Sequence, residues 1–131
     1  MKKIVINLII YLSTLYSQDL TTYVLCEGNF GNANSSLWSF NNLPEEEING
    51  PIHWDENSNP LGDVGQSLTI NDEKLYIIMN NSHTIEVMNL SSGLASYDTT
   101  LNLANTSPRY MTIKSNYGYL SCWNLNGILV I

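Results

Sequence analysis

The chain has 131 residues, enough for one modest domain with a real core, and a formal net charge of −7. So acidic a protein repels nucleic acid and anionic membrane surfaces, which excludes nucleic-acid binding. Hydrophobic residues make up 44% and charged residues only 13%. Polarity therefore rests on Asn, Ser and Thr, which favour turns, beside Tyr, Ile and Val, which favour strands. No long window has helical periodicity, and the predicted class is all-β.

Lys2 and Lys3 open the chain, an apolar stretch runs from Ile4 to Leu15, and Ser17 precedes Gln18-Asp19. This is the layout of a signal peptide over residues 1–17, too short in its apolar part for a membrane span. Export to the periplasm, cell surface or medium is expected, with no membrane-spanning segment once the signal is cleaved. Removal of residues 1–17 takes two lysines and no acids, so −7 becomes −9. Cys26 is not read as a lipid-attachment site, because Tyr23-Val24-Leu25 precede it where small residues would be needed.

A first strand is predicted at Tyr23–Cys26 and, after the loop EGNFGNANSS, another at Leu37–Phe40. Glu45-Glu46-Glu47 after Pro44 reads as a solvated loop. His53–Asn59 also reads as a loop; it is rich in oxygen ligands but lacks the glycine and closing glutamate of a helix-loop-helix calcium site. An inner strand is then expected near Ser67–Ile70, a turn at Asn71-Asp72-Glu73, and strands near Leu75–Met79, Thr84–Asn89 and, past Ser91-Ser92-Gly93, Ala95–Leu101. The last part repeats the scheme, with Asn126-Gly127 as a tight-turn pair.

Gln66–Met88 and Arg109–Ile131 align without a gap at an offset of 43, matching Thr69 with Thr112, Tyr76 with Tyr119, Ile85 with Ile128 and Val87 with Val130. A period of about 40–45 residues is that of a four-stranded propeller blade. The predicted fold is a β-propeller spanning 18–131, with blade 1 at about 20–62, blade 2 at about 66–107 and blade 3 at about 109–131. Blade 1 lacks an inner strand and blade 3 stops within its third, so about two and a half blades are expected, the front part of a longer ring.

The motifs YVLCEGNFG, PLGDVGQSLTI, KLYIIMNNSHTIEVMN and SPRYMTI, in this order, resemble those of the YncE-like, surface-layer-type propellers of Gram-negative bacteria, especially the group carrying the DUF5074 domain. The resemblance covers Tyr23 to Ile131. It implies a seven-bladed ring and an exported protein; some surface relatives bind cobalamin for uptake. Those are generally lipid-anchored, and this chain departs from them at Cys26.

In an up-and-down blade, second-to-third-strand loops emerge beside the connections between blades. This puts Glu27, Asn29, Asp63, Gln66, Asn80, Asn81, Arg109, Tyr110, Trp123 and Asn124 on one rim, facing a shared mouth where a polar ligand could sit. Asn and Asp also stabilise turns without any ligand. His53 and His83 are not spaced as a metal pair, and no HExxH, GxSxG, P-loop or haem-attachment string occurs. No metal, no cofactor and no disulfide are expected; Cys26 and Cys122 fall at equivalent strand ends two blades apart and are predicted to be free, buried thiols. The favoured function is a non-catalytic binding or scaffold module for a small molecule or surface protein. A cobalamin-type uptake accessory and a lactonase-like propeller hydrolase are the alternatives; for the latter, Asp63 and Glu27 are the only plausible inward carboxylates.

Overall fold

The computed structural model describes residues 21–41, 47–91, 93 and 95–131. The signal-peptide segment 1–17, the start of blade 1, Pro44 to Glu46 and Ser92 lie outside the described residues. Within them the chain is mostly β, in three antiparallel sheets. β1 (Thr21–Cys26), β2 (Ser36–Asn41) and β3 (Glu47–Asn49) form the first; β4 (Gly65–Asn71), β5 (Lys74–Met79), β6 (Thr84–Asn89) and β7 (Ser96–Asn102) the second; β8 (Pro108–Lys114), β9 (Tyr117–Cys122) and β10 (Ile128–Val130) the third. Each is a meander in which sequence neighbours pair. The first sheet has no described counterpart of β4.

The core lies between the sheets, in two clusters, one on each face of the central sheet. Side chains of a strand alternate between faces. Leu75, Ile77 and Met79 of β5 therefore pack with Leu37 of the first sheet, while Tyr76 and Ile78 pack with Met111 and Leu120 of the third. Coverage on both faces is why β5 is apolar almost throughout. The outer sheets are covered on one side only. Tyr23 and Leu25 pack inward while Val24 and Cys26 are exposed, and on the third sheet Tyr110, Ile128 and Val130 are exposed.

The offset of 43 is written into the main chain as well. Asn80 N–H donates to the Val64 carbonyl and Asn81 N–H to that of Asp63; Trp123 and Asn124 do the same to Ser107 and Thr106. Bulges interrupt the β4–β5 ladder between Gly65 and Ser67 and the β8–β9 ladder between Pro108 and Tyr110. Left-handed residues recur too: Val64 (φ 59°) with Ser107 (φ 47°), and Asp72 with Ser115, both at φ 51°. Ser67–Ile70 and Met111–Ile113 lie in separate sheets, joined by side chains: Ser67 Oγ donates to Arg109 O at 2.7 Å and Thr69 Oγ1 to Met111 O at 2.9 Å.

Four expectations need correction. His53 to Asn57 belong to a short helix, α1 (Ile52–Asn57), not a loop, because His53 is drawn into the core beside β6 and Tyr97. Glu47 begins edge strand β3, where it pairs opposite Asn41 and stays exposed. Asn126-Gly127 does not form a two-residue hairpin; Trp123–Gly127 span the connection, since Trp123 and Asn124 bond back to the 106–107 loop. The thiols are free but not buried: Cys26 is exposed on the uncovered face of the first sheet, and Cys122 is half-buried.

Candidate functional site

The connections between sheets and the second-to-third-strand loops meet at one end of the stack, and most of the predicted rim residues hold this end together. Asp63, 7% exposed, accepts from Gly31 N–H at 2.9 Å and from Asn81 Nδ2 at 2.6 Å. The Asn81 amide, assisted by the main-chain N–H groups of Gly31, Ala33 and Val64, holds its carboxyl below the ordinary range despite the opposing effect of burial. Glu27 is engaged through its carbonyl, which accepts from Gly65 N–H and the Ser35 hydroxyl, and its side chain is exposed. Asn29 donates its main-chain N–H to Asn34 Oδ1 at 2.7 Å.

Asn80 is the repeat counterpart of Glu27. Its carbonyl gains no matching donor, because Pro108, which replaces Gly65, has no N–H to donate. Instead Asn80, 4% exposed, donates Nδ2 to the Pro108 carbonyl at 2.9 Å. Asn80→Ala leaves that buried carbonyl unsatisfied and should lower stability by about 1–3 kcal/mol, read as a lower urea midpoint.

A second group is built around the bulge of β8. The Arg109 guanidinium lies 4.2 Å from the Trp123 ring centroid and 5.9 Å from that of Tyr110. Trp123 and Tyr110 are 69% and 58% exposed. Asn124 Nδ2 donates to Asn105 O at 3.0 Å and to Ser107 Oγ at 3.1 Å. Gln66 occupies the matching bulge of β4, half-buried. The structure thus brings together Glu27, Asp63, Asn80 and Asn81 as a loop-locking network and half-buried Arg109 with the exposed Tyr110 and Trp123 as a second cluster, with Asn29 apart on the first loop.

Hydrogen bonds of Asp63, Asn80, Asn81 and Asn124 close the loops at this end on one another. A cleft of about 640 Å³ opens at the opposite end between the second and third sheets, lined by Asn71, Lys74, Tyr76, Met111, Lys114 and Ile131. A smaller one, about 290 Å³, lies beside α1 and is lined by Ser36, Leu37, Pro51, His53, Trp54 and Pro60.

Sequence reasoning missed three residues. Ser82 Oγ accepts from Asp63 N–H at 2.7 Å, and His83 Nδ1 accepts from Ser107 N–H at 3.0 Å. Glu86, buried in β6, faces His53 Nε2 at 3.7 Å and accepts from Thr100. A lone acid inside an apolar strand was the available signal, since buried carboxylates need partners. Burial pushes the Glu86 carboxyl up, but the nearby His53 ring and the Thr100 hydroxyl prevail and it lies below the ordinary value. Burial also pushes the Cys122 thiol up.

Asp63 and Glu86 set an acid limit. Both carboxyls are lowered on folding, so their contribution is whole above the unfolded-chain values, near pH 4, and is lost as pH falls through the lower folded-state values. Thermal midpoints measured from pH 7 to 3 should fall below about pH 4, and less steeply in Glu86→Gln and Asp63→Asn. Equal acid slopes in both variants and the parent would contradict this.

Among the described residues no group of three His, Cys, Asp or Glu side chains is arranged to hold a metal ion. No protein-family model matches the chain, and no curated protein sequence matches it.

Proposed function

We propose that this chain forms blades of an exported, non-catalytic β-propeller that engages a ligand or surface partner through the rim bearing Arg109, Tyr110 and Trp123. The observation that carries it is the 43-residue recurrence of whole hydrogen-bond patterns in successive stacked sheets. Hydroxyls of the inner strand β4 reach the main chain of β8, the corresponding strand of the next sheet. Wedge-like sheets linked in this way suit a ring around an axis, with the loops of one end gathered on a common face. The motif resemblance and residues 1–17 support the same placement outside the cytoplasm. Against a hydrolase stands Asp63, whose carboxylate is already engaged by Gly31 and Asn81.

Two measurements test this. N-terminal sequencing of the protein purified from a Gram-negative host should find Gln18 first; an intact Met1 in cytoplasmic material contradicts export. A panel of glycans and small molecules should yield binding that Trp123→Ala abolishes and Glu73→Ala, at the opposite end, leaves unchanged. Binding lost only in Glu73→Ala would move the site away from the rim.

A further inference from the structure

We infer that the Arg109–Trp123 pair is a seat for a single carboxylate carried on a ring that can lie against an aromatic face; this rests on the rim reading above and names the ligand class it implies. Among the described residues three cations occur. Lys74 pairs with Asp98 at 2.6 Å, and Lys114 is exposed at the other end with no partner. Arg109 also makes no ion pair and no side-chain hydrogen bond to a described residue, in a chain with 12 acids. Unlike Lys114, it is held. Its guanidinium carbon lies 4.2 Å from the Trp123 ring centroid, and its N–H donors have no acceptor among the described residues.

Both halves of the pair stand on locked backbone. The Arg109 carbonyl takes the Ser67 hydroxyl at 2.7 Å, and the preceding Pro108 carbonyl takes the buried Asn80 amide at 2.9 Å. Trp123 N–H is fixed on Ser107 O at 2.9 Å and Asn124 N–H on Thr106 O at 3.1 Å. A donor fork on rigid elements loses little entropy when it binds. The fork matches the two oxygens of a carboxylate. The exposed rings of Trp123 and Tyr110 flank it, a surface on which the ligand's own ring can stack. The net charge of −7 disfavours polyanions, so one carboxylate suits the site and a phosphate chain does not. An acidic sugar and an aromatic acid share this chemistry.

The full chain is titrated with glucuronate, benzoate, glucuronamide and inorganic phosphate while the Trp123 indole N–H resonance is followed by NMR. One of the acids should bind at millimolar concentration or below, and whichever binds better identifies a sugar or an aromatic source. Glucuronamide should bind about tenfold or more weakly than glucuronate if the sugar is the source. Arg109→Gln should lose about tenfold or more in affinity for the preferred acid, and Arg109→Lys, which keeps the charge without the fork, should lose most of the same. Melting temperatures near the parent's verify that both variants fold. Binding of neither acid, acid binding unchanged in Arg109→Gln, acid and amide equal where glucuronate is preferred, or phosphate as good as the acids overturns the inference. If the amide binds as well as the acid but Trp123→Ala abolishes both, the rim remains the site and only the carboxylate assignment fails.

Discussion

Leu120→Ala should lower the free energy of unfolding by about 2–5 kcal/mol. Leu120 is fully buried between the second and third sheets, in one cluster with Ile78, Ile85, Val87 and Met111. Truncation removes apolar burial and leaves a cavity that two hydrogen-bonded sheets cannot collapse to fill. Against a total of about 5–15 kcal/mol for a typical domain, this is a large share. Urea unfolding should give a lower midpoint with an unchanged slope. Thr99→Ala, on the exposed part of β7, should stay within about 0.5 kcal/mol of the parent. Equal losses at the two sites would mean that Leu120 does not sit between stacked sheets.

Gly28→Ala should be comparably severe, about 2–5 kcal/mol, from two sources that add. Gly28 has φ +77°, a left-handed conformation that alanine adopts at a cost of about 1–2 kcal/mol. An added Cβ would also lie 2.8 Å from Ser35 N and 2.9 Å from Asn34 C, which are backbone atoms that cannot swing aside. The loop must then shift, and it carries the Gly31 N–H that binds Asp63. The same unfolding experiment reads it, and amide exchange at Gly31 should accelerate in the variant. Gly93→Ala is the contrast: φ is +80°, but an added Cβ meets nothing within 4 Å, so only the conformational part of the loss should remain.

The all-β class and the central sheet were legible because the physics there is local. β6 falls at Thr84–Asn89, as expected after the turn Asn80-Asn81-Ser82, and β4, β5 and β7 differ from expectation by a residue or two at their ends. A sheet covered on both faces leaves a run of Leu, Ile and Met that a turn residue must end. Helix α1 was not legible: IHWDEN is six residues, too short for a helical period, and its first residue follows Pro51 with no side-chain cap. The exposure of Cys26 was missed for another reason. Its repeat counterpart Met79 is fully buried, but only the second sheet has a described neighbour on that face. Repetition foretells which side of a strand a residue takes, and coverage of that side depends on what packs there.

At the rim the residue types were legible and their duties were not. Asn80, Asn81 and Asp63 stood out as polar residues at loop positions, yet whether such a side chain faces a ligand or another loop depends on the approach of segments far apart in sequence. Pro108 is the instructive case: by lacking an N–H it reverses the direction of one inter-sheet bond, and Asn80 becomes the donor. Arg109 differs because nothing described takes its donors.

An experimental density map of the protein purified from its host would test the stacking most directly. It should place the Thr69 hydroxyl within hydrogen-bonding distance of the Met111 carbonyl, with β4 and β8 in separate sheets and Ile78 and Leu120 packed between them. Main-chain hydrogen bonds joining β4 to β8 edge to edge, in one continuous sheet, would contradict the account.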